Sequence, residues 1–426
     1  MKKHVNKVTC LKQRREKMET KINRWLILIA STAVLLCTGA VYAFSVFAGP
    51  LSQLKGWSME EIMLAFTINA AVGPITMILG GLLTDRGAAR WVIAGGGVLF
   101  GAGFFLTGLV NSPAMLYLTY GVFAGLGQGF AYSACLSNTI RLFPDKRGLA
   151  SGLITAGMGG AAIIAAPIAN RLIESQDVLA AFRILGIAYI VIVLVASLFI
   201  RKAPEDYRPA GWQPAAQGKN GPQINLNWLD MLKTPTFYLI IVMLGAGAFS
   251  GLMIASNASV IGQSMFGLTA AAAAFYVSLY SLSNCFGRVL WGTVSDKIGR
   301  TNTLMIIYGV VALSLFLLTL GQTTVIFTVG IIGLGLCFGG VMGVFPSIVM
   351  ENYGPINQGV NYGIVFIGYS TAAFFGPRVA AAIAESNQGD YTKAFYTAIF
   401  LAVFGLVLNI GYAMLKKAKK PAPVIK

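Results

Sequence analysis

Apolar runs of about twenty residues, repeated from end to end, constrain this chain more than any motif does. An α-helix rises about 1.5 Å per residue, so about twenty such residues cross a hydrocarbon core of roughly 30 Å. Twelve runs fit, at about 25–47, 61–83, 91–110, 114–139, 148–171, 179–200, 236–259, 269–291, 303–321, 324–349, 359–384 and 394–415. Backbone groups in lipid find no water, so each run must satisfy its hydrogen bonds internally, as a helix. The expected fold class is an all-α polytopic membrane protein with 12 transmembrane helices. Composition agrees: 56% of the 426 residues are hydrophobic and 11% charged, with a mean hydropathy of +0.72. Fifty glycines suit helices that approach closely in lipid.

A net charge of +17 would fit a nucleic-acid binder, but its distribution argues against nucleic acid. Of 32 Lys and Arg, 26 fall in the two tails or in alternate loops. Only Lys55, Arg171, Arg183 and Lys393 fall on the other side, and Arg288 and Arg378 lie within spans. This positive-inside pattern predicts a multi-pass protein of the cell inner (cytoplasmic) membrane with both termini cytoplasmic. The domains expected are a basic tail (1–24), a six-helix bundle (25–200), a cytoplasmic linker (201–235), a second six-helix bundle (236–415) and a basic tail (416–426). The linker holds Pro204, Pro209, Pro214, Pro222 and Pro235, which breaks the helical pattern. The basic start is like a signal n-region, but the run after it is too long for an h-region, so a retained first span is expected.

The halves repeat. Asp85 and Asp296, Gly148 and Gly359, Gly152 and Gly363, and Gly157 and Gly368 all lie 211 residues apart. Pairs at one offset argue for two pseudo-symmetric six-helix bundles, with a cavity between them at mid-depth.

Several function classes lack their residues. The five cysteines, Cys10, Cys37, Cys135, Cys285 and Cys337, show neither metal spacing nor a disulfide framework, and the one histidine is His4. A metal centre, a cofactor site and histidine-based catalysis are not expected, and neither is an enzyme. The glycines of Gly125-Leu-Gly127-Gln128-Gly129 have a nucleotide-loop look but no preceding strand, so they read as packing glycines. No Asp or Glu lies mid-span, which disfavours both a carboxylate proton relay and a carrier of cationic drugs.

What remains is Arg288. An arginine at the centre of a span costs at least about 2.5–3.5 kcal/mol on insertion scales, so such residues face a protein interior or a wet cavity. Eight residues separate it from Asp296, about 12 Å of helix from the polar end. The expected role is counter-charge for a small anionic substrate. Asn284, one turn earlier, is expected on the same face, either on substrate or bonded to another helix. Tyr132, with Gln128 one turn away, and Tyr42 and Tyr369 are further candidates for the shell around the substrate. Arg378, near the external end of its span after Pro377, reads as structural.

The loop Gly292-x-x-x-Asp296-Lys297-x-Gly299-Arg300 resembles that of the major facilitator superfamily in full. The first-half copy holds Asp85, Arg86 and Arg90 but has Ala88 where glycine is usual. Tyr42-Ala-Phe-Ser-Val-Phe47, Phe143-Pro-Asp-Lys-Arg-Gly-Leu-Ala-x-Gly152, Phe345-Pro346 and Asn361-Tyr-Gly-Ile-Val365 are similar to the oxalate/formate antiporter family and its bacterial monocarboxylate relatives. The resemblance implies alternating access by two rocking bundles, with Arg288 as the substrate arginine and Asp85, Arg86, Arg90, Asp296, Lys297 and Arg300 as gating loops. Oxalate-binding members pair that arginine with a lysine on span 11, where this chain holds Tyr369. One cation matches one carboxylate. The expected activity is secondary active transport of a monocarboxylate such as lactate, pyruvate or formate, by a monomer with protons as co-substrate. The alternative is an oxalate/formate-type anion exchanger.

Overall fold

A computed structural model describes residues 23–204, 207–209, 225–321 and 323–418. The basic tails up to residue 22 and from residue 419, with His4 and Cys10, and most of the linker lie outside the described residues. Twelve helical rods, α1 to α12, run back and forth, and among the described residues there is no strand. In the first half these are α1 (Arg24–Lys55), α2 (Met59–Leu83), α3 (Ala89–Thr107), α4 (Pro113–Leu116, π-helical Tyr117–Ala124, then Gly125–Arg141), α5 (Arg147–Gly159, then Ala161–Ser175) and α6 (Val178–Phe199). In the second they are α7 (Pro235–Phe266), α8 (Ala270–Ile298), α9 (Arg300–Leu320), α10 (Thr324–Tyr353), α11 (Gln358–Val365, then Ile367–Ser386) and α12 (Thr392–Ala418). A short helix, Trp228–Leu232, precedes α7.

Local sequence starts these helices where they start. Ser58 and Glu61 close a capping box on α2. Asp177, Thr269 and Thr323 accept the N–H groups of Ala180, Ala272 and Ile326, and so cap α6, α8 and α10. The turn from α8 to α9 uses Gly299 at φ 87°, and the turn from α2 to α3 uses Gly87 at φ 102°. Ala88 therefore stands where the repeat would place a glycine because the left-handed residue has moved one position earlier.

By length and apolarity alone, nine helical stretches among the described residues could cross a membrane. The stretch Met59–Thr107 contains two rods, α2 and α3. The π-helical segment splits α4. α8 carries Ser278, Ser281, Ser283, Asn284 and Arg288, and is not among the nine.

Within the first half, α3 packs on α4 and α6, α2 on α4, and α1 on α5 and α6; within the second, α8 packs on α10, α7 on α11, and α9 on α10 and α12. Between the halves, α5 meets α8 and α2 meets α11. These two seams are images of one another, since α2 and α5 correspond to α8 and α11. Glycines make both possible. Gly148 faces Gly292 and Gly81 faces Gly359 so closely that a Cβ at either Gly148 or Gly81 would overlap the opposite backbone.

Candidate functional site

Arg288 leaves α8 toward α5 at the seam between the halves. It is 5% exposed. Its Nε donates to Asn284 Oδ1 at 3.0 Å, and its Nη1 donates to the Thr155 carbonyl at 2.7 Å. The first contact lies one turn back on the same helix and the second crosses to the other half. Gly159 makes room for the head group: a Cβ there would sit 2.9 Å from Cζ and from Nε. Cys285 lies beside it, with Sγ 3.5 Å from the Ala156 carbonyl. Thr155 and Ala156 lie near the C-terminal end of the helix Arg147–Gly159, the end where the helix dipole is negative. That helix end is the counter-charge Arg288 has. Among the described residues no carboxylate pairs with it, although Asp296, Arg300, Glu351 and Asp85 all form ion pairs nearer the tail side.

A guanidinium has five N–H groups, and Arg288 engages two of them. Its charge reaches the hydroxyls of Tyr132, Tyr280, Tyr362 and Tyr369. Tyr280 spends its hydroxyl on the Gly251 carbonyl at 2.6 Å. The Tyr132 and Tyr362 hydroxyls are buried and interact with one another, and reach full hydrogen-bonding geometry with no protein group. Phe366 holds the rings in place, with centroids 6.0 Å from Tyr132, 5.8 Å from Tyr362 and 4.5 Å from Tyr369. Tyr369 also stacks at 6.5 Å on Phe338, and its hydroxyl interacts with that of Tyr42, which is 43% exposed. Gln128 is half-buried one turn before Tyr132.

The arrangement is a buried cation with spare donors, backed by a carbonyl and an amide and roofed by aromatic rings. It can hold an anion and has no nucleophile–base pair. An apolar crevice of about 390 Å³ between α7, α11 and α12, lined by Ile241, Phe249, Phe375 and Phe404, offers an anion no polar side chain of comparable strength.

The Major Facilitator Superfamily profile matches residues 30–377. The chain belongs to the Major Facilitator Superfamily. It is 32% identical to the oxalate:formate antiporter of Oxalobacter formigenes over 407 residues, 93% of this chain and 94% of that one. It is 25% identical to monocarboxylate transporter 12 of Xenopus laevis, over 94% of this chain and 90% of that one. Among solved structures, the proton:xylose symporter XylE superposes with a TM-score of 0.70 at 13% identity, covering 91% of this chain and 95% of that one. FucP in the outward conformation gives 0.67 at 15%, covering 92% and 99%. These two establish the fold, two pseudo-symmetric six-helix bundles. Superfamily members are transporters rather than enzymes, and this chain is a multi-pass membrane transporter.

The superfamily loops close the tail side. Asp85 accepts the Gly359 and Val360 N–H groups at 3.1 and 3.0 Å and pairs with Arg141. Asp296 accepts the Gly148 and Leu149 N–H groups, both at 2.9 Å. Each aspartate thus caps the helix start of the opposite half, where unpaired N–H groups and the helix dipole favour an anion. Arg300 bonds Asp296 at 2.7 Å and Glu351 at 3.2 Å. Arg90 is half-buried and lies over the Trp91 ring. Arg86 and Lys297 are exposed and outside these bonds. Arg378 lies over Phe374 at 3.9 Å, near the end of α11.

Sequence reasoning missed Thr155, Gly159, Tyr362, Arg141 and Glu351 as members of these clusters. Thr155 acts through its carbonyl, which no side-chain pattern reveals. Tyr362 stood inside the family-like Asn361–Val365 stretch. Its aromatic neighbour Phe366, one turn on, was the available signal.

Proposed function

We propose that this transporter carries a small monocarboxylate, of the lactate, pyruvate or formate kind, across the cytoplasmic membrane by alternating access coupled to protons. The observation that carries the reading is the buried Arg288 guanidinium with no carboxylate partner among the described residues. A carboxylate docking end-on against Nη1 and Nη2 gains charge-assisted bonds, while Asn284 keeps the Nε side occupied. Tyr132 adds a donor, and Tyr42, Tyr369 and Gln128 complete the shell. Tyr369 supplies a neutral ring where an oxalate site needs a second cation, which favours one carboxylate over two. With no carboxylate at this depth among the described residues, the proton would travel with the substrate. Both termini are assigned to the cytoplasm on the charge count, so Asp85, Arg141, Asp296 and Arg300 form the cytoplasmic gate. The site needs residues of one chain only, consistent with a monomer in lipid.

Exchange of one anion for another is the second reading. It is favoured by the Arg288 Nη1–Thr155 bond, which crosses the halves. An empty carrier opening toward the tail side breaks that bond with nothing in its place. Labelled lactate uptake into proteoliposomes separates the two. Accumulation driven by an inward proton gradient supports symport, and uptake that needs internal anion supports exchange. If lactate, pyruvate and formate all fail to enter under either condition, the monocarboxylate reading is wrong.

A further inference from the structure

We infer that Tyr362 is a specificity-determining residue, and that with Tyr132 it receives an oxygen on the second carbon of the substrate, so that 2-hydroxy and 2-oxo monocarboxylates are preferred over formate, acetate and propionate. The inference rests on the monocarboxylate reading and narrows it. Tyr362 sits on α11 of the second half and Tyr132 on α4 of the first. They are 2% and 3% exposed. Their hydroxyls are close enough to influence one another, and both feel Arg288. Beyond that mutual contact, neither reaches hydrogen-bonding geometry with a protein group.

A buried hydroxyl without a partner in good geometry is destabilising, and a phenylalanine at the same place would avoid most of that loss. Two such groups, from opposite halves, meet next to a cation that also has donors to spare. Phe366 packs against both rings and favours their present positions. The missing partner is therefore one that comes and goes. A 2-hydroxyl or 2-oxo oxygen suits two phenols: it accepts from both, while Arg288 takes the carboxylate one bond away. Formate and acetate have no such atom and would leave the pair unsatisfied. Sites built around a polar substrate atom reject analogues lacking it far better than apolar pockets reject an extra methylene.

The test compares wild-type, Tyr362→Phe and Tyr132→Phe proteins, purified whole, by thermal-shift titration with formate, acetate, propionate, lactate and pyruvate at one pH. Preferential binding to the folded state raises the melting temperature by mass action. Wild type is expected to bind lactate and pyruvate at least about tenfold more tightly than propionate. Tyr362→Phe is expected to lose most of that ratio by weakening lactate and pyruvate, with propionate changed less than about twofold. Its unliganded melting temperature should stay close to that of wild type, because the hydroxyl it loses has no partner in good hydrogen-bonding geometry. A wild-type protein that binds all five acids alike, or a Tyr362→Phe protein that weakens all five equally or is less stable without ligand, overturns the assignment of Tyr362 and leaves the monocarboxylate reading standing. A wild-type protein that binds none of the five removes that reading, and this inference with it.

Discussion

On the tail side the α2–α11 seam and the α5–α8 seam repeat one another. Gly81 meets Gly359 and Asp85 caps α11; Gly292 meets Gly148 and Asp296 caps α5. One turn deeper the likeness ends. Shifted by 211 residues, Asn284 corresponds to Gly73 and Arg288 to Met77, while Thr155 corresponds to Phe366 and Gly159 to Ser370. In the first seam these positions give an open glycine and a buried methionine. In the second they give a guanidinium bonded across the halves. A duplicated scaffold supplies two like contacts, and the buried cation sits where the copies have diverged.

The sharpest way to break this comparison is to make the second seam like the first. Arg288→Ala removes the cation and should lower monocarboxylate uptake about a hundredfold or more, the scale of losing one side of a buried charge pair. Arg288→Lys should recover little, because a lysine cannot present two parallel donors. Uptake into proteoliposomes at matched protein content measures both, and normal transport by either variant would end the case for an Arg288 site.

If the two tail-side contacts are equivalent, they should fail equally. Gly148→Leu and Gly81→Leu each push a side chain into facing backbone. Overpacking of this kind costs about 1–3 kcal/mol. Both variants should cut uptake about tenfold and expose the tail side to water. Labelling of a cysteine introduced at that depth should rise to the same extent in each. A large effect in one seam alone would show that the halves do not close as images of one another.

Asn284→Asp tests the chemistry of the divergent seam itself. The new carboxylate would sit where Oδ1 now accepts from Arg288 Nε, and when ionised it would satisfy the cation from within. Falling pH protonates it and frees Arg288 for the substrate. Uptake should therefore be several-fold below wild type at alkaline pH and approach wild type in acid. Initial rates across the pH range decide it, and a profile parallel to that of wild type counts against Arg288 as the anion's partner.

The repeat and the twelve rods were legible because lipid leaves a long apolar run one option, and because Asp85 and Asp296 keep their spacing to the glycines. Arg288 was legible for the opposite reason: its charge contradicts its surroundings. What surrounds it was not. The Thr155 carbonyl and the bare face of Gly159 are backbone features of another helix. Which tyrosine reaches the site depends on ring packing around Phe366, and no helical spacing encodes that. The motif cations show the same limit: Arg300 is drawn into the closure, whereas Arg86 and Lys297 point outward at matching motif positions, and the partner of Asp85 is Arg141, outside the motif.

The smallest effect belongs to the outer shell of the second seam. Arg300 bridges Asp296 and Glu351, and Glu351 also meets Lys416 at 3.4 Å. Glu351 is 27% exposed on its side chain, so water screens what it contributes. Glu351→Gln should lower stability by less than about 1 kcal/mol, the range of partly exposed ion pairs. Asp296→Asn should lower it more, because that side chain holds two backbone N–H groups of α5 as well as Arg300. Thermal melts of the two variants in one detergent rank them. Should Glu351→Gln prove the more damaging, the closure of this seam rests on the Arg300–Glu351 bridge rather than on the capped helix, and the match with Asp85 in the other seam loses its meaning.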